Sequence, residues 1–138
     1  MQQTEKKTLE QVAEECGRYS IDAFEFVRHG LNYTVQKVHG DTKNKPEIEC
    51  HVTGKQLSEG LRDYAIRRYG VMAGAALRHW GIRRTSDFGK IVYVMVESRL
   101  MQKTEQDDLR DFEGVFDFDK AFEPPARPTI KPIVVFRL

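Results

Sequence analysis

The segment YSIDAFEFVRHGLNYTVQKVHG, residues 19–40, is the strongest helical signal in the chain and decides its fold class. At about 100° per residue, its apolar side chains cover more than half of the helix circumference. A helix with so wide an apolar arc packs on two sides, so we predict that it lies at the centre of the fold. The arc is formed by Phe24, Phe26, Val27, Leu31, Tyr33, Val35 and Val38.

Two features inside this segment refine the prediction. Ser20 is a helix N-cap residue, and Asp22 follows in the first turn, where the helix dipole favours an anion. Gly30 lies within the apolar arc, where it lowers helix propensity but leaves room for another backbone. We therefore predict that a second element approaches the helix closely at Gly30.

Further helices flank this segment on both sides. Thr8 with Gln11, and Thr53 with Gln56, fit the capping box that starts a helix, and glycines end the segments that follow. VMAGAALRHWG is a short helix rich in small residues. TSDFGKIVYVMVESRLM favours a capped helix, although its β-branched run also permits a strand. Together these segments predict about five helices.

Strand signals are short and mostly late in the chain. EIECHV, residues 47–52, alternates apolar and polar residues, and IVVFRL, residues 133–138, follows the proline-rich stretch PPARPTIKP. The predicted fold is therefore α+β, mostly α, with about five helices and a small sheet from short late strands. We expect one globular, mainly helical domain over residues 1–123. Residues 124–138 would form a Pro-rich connector and an extended C-terminal strand.

Bulk composition indicates a soluble globular protein. The 138 residues are 40% hydrophobic and 31% charged, and the formal net charge is +1. The first residues contain no apolar signal core, and the longest apolar run, residues 91–96, is far too short to span a bilayer. Cys16 and Cys50 are too few for a disulfide framework. We expect a cytoplasmic protein with two free thiols and no membrane segment.

No motif in the chain indicates a catalytic or metal site. The four histidines are scattered, the acidic segment lacks a calcium-loop pattern, and no nucleophile or phosphate-loop motif occurs. We therefore assign no catalytic residue, no metal and no cofactor. An enzyme whose site is assembled from distant residues would leave no local motif.

Charge is distributed very unevenly along the chain. Residues 62–84 contain six arginines and one acid, a net charge of +5, whereas residues 105–123 contain eight acids and two basic residues, a net charge of −6. Four phenylalanines are interspersed among those acids. We predict that the rings fasten the acidic segment onto the domain near the arginines, as complementary surfaces of one body. A solvated acidic face is the alternative.

The arginine-rich region also supplies the candidate binding residues. Arg68 falls within the apolar arc of its helix, so it either extends to solvent from the last turn or pairs with a buried acid. Trp80 lies among basic residues, where it either stacks on nucleic-acid bases or packs inward behind a rim of arginines. The candidates are Arg67, Arg68, Arg78, His79, Trp80, Arg83 and Arg84.

Four stretches carry a family resemblance. YSIDAFEFVRHGLNYTV, HVTGKQLSEGLRDYAIRRYG, HWGIRRTSDFGKIVYVMVESRLMQKTEQDDLRDF and GVFDF resemble a family of small conserved bacterial proteins of uncharacterised function. The resemblance covers about residues 9–122 and implies one domain. It implies no activity, cofactor or catalytic residue.

Three functions are compatible with these patterns. The first, which we favour, is a non-enzymatic protein-interaction module that binds a partner or a second copy through the arginine-rich helices or the C-terminal strand. The second is a winged-helix-like nucleic-acid-binding protein, although its wing would be acidic. The third is an enzyme on a small anionic substrate held by Arg68 and Arg78, with His79 or Asp63 handling protons.

Overall fold

A computed structural model describes residues 7–41, 43, 45, 50–102 and 108–122. Over these residues the chain forms α-helices and two 3₁₀ helices. The 3₁₀ helices are Gly70–Met72 and Leu109–Phe112. The α-helices are α1 (Leu9–Cys16), α2 (Ile21–His39), α3 (Gly54–Tyr69), α4 (Ala73–His79), α5 (Thr85–Glu97) and the single turn α6 (Phe118–Ala121).

The predicted sheet is wrong for the part of the chain that the structure describes, which contains no strand and is α-helical rather than α+β. Residues 50–52 of the first strand candidate are a 3₁₀ residue and coil. The β-branched run at residues 91–96 lies in α5, because burying Ile91 and Met95 suits helical spacing. Between α5 and α6 the described residues form a 3₁₀ helix in place of a two-stranded wing. The predicted strand at residues 133–138 lies outside the described residues.

Two helix starts follow the predicted capping-box chemistry, whereas Ser20, the predicted N-cap residue of α2, lies at that position without a side-chain capping bond. The backbone amide of Gln11 donates to Thr8 Oγ1 over 3.2 Å, and the Gln11 side chain accepts from the Thr8 amide over 2.9 Å. Thr53 and Gln56 make the same reciprocal pair at 3.0 and 2.9 Å. Both capping boxes are thus confirmed, and each satisfies two amides that a helix start leaves open.

Helix α2 lies at the centre, as its wide apolar arc predicts. It contacts α1, α3 and α5. Its residues Phe24 and Val27 are fully buried against side chains from the other helices. The other fully buried large apolar residues are Val12, Leu61, Leu77, Ile82, Phe88, Ile91 and Met95.

The closest helix packing in the described chain is the crossing of α2 and α3. The two helices run antiparallel, since Phe26 lies beside Tyr69 and Thr34 lies against Gly60. A Cβ atom on Gly60 would overlap Thr34 Oγ1 and lie 2.7 Å from its Cγ2, which shows how little space remains. Gly30 faces Leu61 in the same way, so the predicted close approach at Gly30 is confirmed.

A buried carboxylate fixes the corner between α4 and α5 against the corner between α1 and α2. Asp87 accepts hydrogen bonds from the Tyr19 hydroxyl at 2.5 Å and from the backbone amides of Arg83 and Arg84 at 2.8 and 3.2 Å. The Arg18 guanidinium lies 3.7 Å away. Desolvation and the bond to Asp87 raise the pKa of Tyr19, so this hydroxyl stays protonated as a donor.

The acidic segment, over its described residues 108–122, is fastened to the helices by its aromatic rings. The Phe112 ring packs between Gly54 of α3 and Gly89 of α5. A Cβ atom added to Gly54 would lie 3.1 Å from the ring, and one added to Gly89 would lie 2.9 Å from it. Phe118 lies 5.6 Å from Phe88 between ring centroids.

Acids of this segment mostly serve local backbone caps. Asp108 accepts from the Arg110 amide at 2.9 Å, and Asp117 accepts from the Asp119 amide at the same distance. Packing of the aromatic rings therefore attaches the segment to the helices, and its aspartates stabilise its turns by accepting hydrogen bonds from nearby backbone amides.

Substituting Gly60 by alanine tests the helix crossing. We expect Gly60→Ala to lower the free energy of unfolding by about 1–3 kcal/mol, because the new methyl group meets a stiff β-branched side chain. Urea denaturation measures the change. Gly30→Ala is the matched control and should cost less, since only the tip of Leu61 must move and helix propensity improves by about 1 kcal/mol. Equal stability of Gly60→Ala and the parent protein would contradict the close crossing.

A second pair of variants separates ring packing from charge in the acidic segment. Phe118→Ala should destabilise the packing of residues 108–122 by about 3 kcal/mol, because a buried ring is lost. Asp119→Asn should change it by less than about 1 kcal/mol, because its ion pair with Arg78 is exposed to solvent. Hydrogen exchange of the Val115 and Phe122 amides measures both. A larger effect from Asp119→Asn would show that charge holds the segment.

Candidate functional site

The structure does not gather the six arginines of residues 62–84 into one site. All six are exposed, but they point to three different neighbourhoods on the surface. Two lie beside the acidic segment, one lies between α2 and α3, and the others lie at helix ends. An enzyme on a small anion would need a cleft that combines Arg68, Arg78 and His79, and all three of these residues are exposed.

Arg62 and Arg78 are the two arginines that meet the acidic segment. The Arg62 guanidinium lies 5.4 Å from the centroid of the Phe116 ring. An Arg78 nitrogen lies 3.4 Å from an Asp119 carboxylate oxygen, and both side chains are largely exposed. The cationic and anionic regions therefore do touch, through one cation–π contact and one exposed ion pair, each of which contributes at most about 1 kcal/mol.

Arg67 belongs to a polar cluster between α2 and α3. Asp63 Oδ2 accepts from the Tyr33 hydroxyl at 2.5 Å and from Lys37 Nζ at 2.6 Å, while Arg67 Nε lies 3.7 Å away. The Arg67 guanidinium also lies 5.8 Å from the centroid of the Tyr33 ring. Asp63 thus joins two residues of α2 to one of α3.

Every shift in this cluster moves the pKa of the group further from pH 7. The hydrogen bonds from Lys37 and then Tyr33 lower the pKa of Asp63. The bond to Asp63 in turn raises the pKa of both Tyr33 and Lys37. A general acid or base works best with a pKa near the working pH. The cluster therefore holds fixed charges and is not poised for proton transfer.

The remaining candidate residues lie at helix ends. Trp80 packs inward: its ring lies 5.7 Å from Phe26 and 5.5 Å from Tyr69 between centroids. Arg68 is exposed in the last turn of α3, without a buried acidic partner among the described residues. His79 is exposed at the end of α4, and Arg83 and Arg84 are exposed in the turn before α5.

An apolar turn interrupts the arginine-rich region. Val71 and Met72, in the 3₁₀ helix between α3 and α4, are 68% and 61% exposed. Ile66, one turn before the end of α3, is also exposed. These three account for half of the six exposed large hydrophobic residues in the described part of the chain. We call Ile66, Val71 and Met72 the apolar turn; Arg67 and Arg68 precede Val71 in the chain, and Arg78 follows on α4.

A second surface feature is an open groove beside the polar cluster. Its volume is about 630 Å³, which is within the range of ligand sites, but it is widely open to solvent. It is lined by Arg28, His29, Asn32, Tyr33, Gln36 and Tyr64.

Sequence reasoning did not select either feature. In the sequence, the α2 residues of the groove look like the solvent-exposed side of an amphipathic helix. The only pattern that could have indicated the groove is the i, i+4, i+8 spacing of Arg28, Asn32 and Gln36.

The sequence places Val71 and Met72 in a short helix rich in small residues and Ile66 in the helix before it, and neither pattern predicts that these side chains are exposed. Exposure of Val71 and Met72 is a property of how α3 and α4 meet.

Neither a membrane-spanning helix nor a metal-ligand cluster occurs among the described residues. None of the described helices is both long enough and apolar enough to cross a bilayer. No described group of three or more histidine, cysteine, aspartate or glutamate residues is arranged to hold a metal ion. Cys16 and Cys50 are free thiols.

Comparison with known proteins gives no relative to guide the assignment. No protein-family model matches the chain, and no curated protein or solved structure matches it. The function must therefore be argued from the site itself.

The pH dependence of stability tests the Asp63 cluster. Because the folded-state pKa of Asp63 is lowered, its contribution is present above the ordinary aspartate pKa of about 4 and is lost as the pH falls through the folded value. Asp63→Asn should therefore be less stable than the parent protein at neutral pH, by less than about 1 kcal/mol, since Lys37 and Arg67 are more than half exposed. The difference should shrink in strong acid.

Urea denaturation at a series of pH values and low salt measures this difference. Tyr33→Phe, which removes one donor and leaves Lys37, is the control and should show a smaller effect. A difference between Asp63→Asn and the parent protein that stays constant from neutral to strongly acidic pH would contradict the assignment.

Proposed function

We propose that the chain is a protein-interaction module without enzymatic activity, and that a partner docks on the apolar turn and its flanking arginines. The observation that carries this proposal is the exposure of Val71 and Met72, which are adjacent in the chain. Burial of such side chains in a complex is favourable, and clustered exposed apolar residues are typical of interaction sites. Methionine and arginine are both enriched at the centres of protein interfaces.

Charge supports a partner with acidic groups around an apolar contact. Residues 62–84 carry a net charge of +5. Arg67 and Arg68 lie in the last turn of α3 just before the apolar turn, and both are exposed. Arginine pairs with carboxylates through two parallel hydrogen bonds, which adds orientation to attraction. An acidic protein segment that presents leucine-like side chains fits both properties.

The two alternatives receive less support from the described residues. Catalysis on a small anion needs a proton-transfer group poised near neutrality, and the shifts at Asp63, Tyr33 and Lys37 go the other way. Nucleic-acid binding uses phosphate contacts and stacking, whereas Trp80 packs on Phe26 and Tyr69. Phosphate binding also gives no reason for an exposed apolar turn.

Three finer expectations belong to this proposal. A cytoplasmic location is supported by free thiols at Cys16 and Cys50. Self-association through the C-terminal strand remains a prediction, because residues 133–138 lie outside the described residues. The likeness to a family of small bacterial proteins likewise remains a proposal.

Charge placed on the apolar turn tests the docking surface. The probe is a panel of immobilised peptides in which glutamate and leucine recur at helical spacing. We expect the full chain to bind these peptides, and the double variant Val71→Asp, Met72→Asp to bind them at least about tenfold more weakly, because two interface side chains become charged. Surface plasmon resonance measures the affinities.

The matched control is Tyr93→Asp, which charges an exposed apolar position on α5 and should leave binding unchanged. Peptides with lysine in place of glutamate should not bind. Anionic phospholipid vesicles and single- and double-stranded DNA are run in parallel. Loss of vesicle or DNA binding in the double variant, with no peptide binding by the parent protein, would replace the proposal by a lipid or nucleic-acid partner.

A further inference from the structure

The groove beside α2 contains polar side chains that the fold itself does not use. Four of its lining residues belong to α2 and are exposed, and their side chains make no hydrogen bond or ion pair with any other residue that the structure describes. The fifth α2 residue, Tyr33, is held by Asp63. The four are Arg28, His29, Asn32 and Gln36.

Three of these residues form a straight row on the helix. Arg28, Asn32 and Gln36 are spaced by four positions, so successive side chains are about 6 Å apart along the axis of α2. Alternate residues of an extended peptide are about 6.6 Å apart. A short extended chain laid along the groove would therefore present one of its alternate residues to each side chain of the row.

The middle and end of the row carry carboxamides. Each carboxamide has both a donor NH₂ and an acceptor oxygen, the same pair that a peptide unit offers. Asn32 and Gln36 are therefore suited to bond the main chain of a bound peptide rather than a charged side chain. Arg28 adds a cation at one end of the row.

We propose that this groove binds an extended acidic segment of another protein, with Asn32 and Gln36 bonded to its main chain and the surrounding cations paired with its carboxylates. The cations are Arg28 on α2, and Lys37 and Arg67 at the Asp63 cluster. Asp63 is bonded to Tyr33 and Lys37 and lies 3.7 Å from Arg67, so it offsets one of these three positive charges. Glu25, one helical turn before Arg28, is the acid at that end and limits how far the anionic segment extends.

Charge disfavours the chain's own C-terminal segment as the occupant. Residues 124–138 contain Arg127, Lys131 and Arg137 and no acid. Their charge has the same sign as the groove. The site therefore fits a segment of a different protein. None of the residues that line it belongs to the apolar turn proposed above as a docking surface, although Arg67 flanks both.

Fluorescence anisotropy with two matched peptides tests the proposal. The first is a labelled short peptide of alternating glutamate and threonine; the second has the same sequence with N-methyl groups on alternate backbone amides. The parent protein should bind the first peptide and bind the second about fivefold more weakly, because methylation removes main-chain donors while leaving the charge unchanged. Equal affinity for the two peptides would overturn main-chain recognition.

Variants then place the binding in the groove. The double variant Asn32→Ala, Gln36→Ala should bind the unmethylated peptide about tenfold more weakly and lose the preference over the methylated one. Gln102→Ala, at an exposed amide outside the groove, is the matched control and should bind as the parent does. Unchanged binding in the double variant, or no binding of the glutamate–threonine peptide by the parent protein, would overturn the site.

The outcome is distinguishable from a failure of the proposed function. Val71→Asp with Met72→Asp should leave binding of the glutamate–threonine peptide unchanged, and the groove variants should leave binding of the glutamate–leucine peptides unchanged. If the double variant Val71→Asp, Met72→Asp no longer binds the glutamate–threonine peptide, the inference of a groove site distinct from the apolar turn is overturned.

Discussion

The crossing of α2 and α3 is the constraint on which the rest of the structure depends. Gly60 and Thr34 meet so closely that neither helix can move toward the other, and Gly30 admits Leu61 on the same line. This spacing brings Tyr33 and Lys37 of α2 to Asp63 of α3. It also leaves the polar flank of α2 open as a groove. Because backbone proximity requires residues without large side chains, two glycines fix the geometry of a surface that neither of them lines.

Aromatic packing, more than charge, joins the acidic segment to the helices. Rings of residues 112–122 lie in a slot between α3 and α5 and against Phe88, whereas the acids mostly cap local turns. Burial of a ring contributes more than an exposed ion pair. The acids of this segment therefore do not pair with most of the arginines. Arg67, Arg68, Arg83 and Arg84 remain exposed on the surface, where they can contact a partner.

The two proposed surfaces both combine neighbouring cations with uncharged side chains that are exposed to solvent. One combines apolar side chains with neighbouring cations, and the other combines carboxamides with cations along an open groove. Both are solvated in the isolated chain, and neither encloses a substrate away from water, which catalysis by fixed dipoles requires. The Asp63 cluster adds fixed positive charge and rigidity at the boundary between α2 and α3.

Local chemistry in the sequence determined the helices and their capping boxes, because each of these depends on residues within a few positions of one another. Gly30 marked a place where another element could approach, but its neighbour, Leu61 of α3, was decided by the tertiary structure. The predicted sheet failed because alternation over a few residues is a weak signal: residues 50–52, the described part of the first strand candidate, are a 3₁₀ residue and coil. At α5 the favoured helix was correct, because burial of Ile91 and Met95 against the other helices excludes the strand alternative. Which arginines meet the acidic segment, the exposure of Val71 and Met72, and the groove beside Tyr64 were decided by tertiary structure. Each depends on which helix lies next to which, a long-range relation that no spacing within one segment contains.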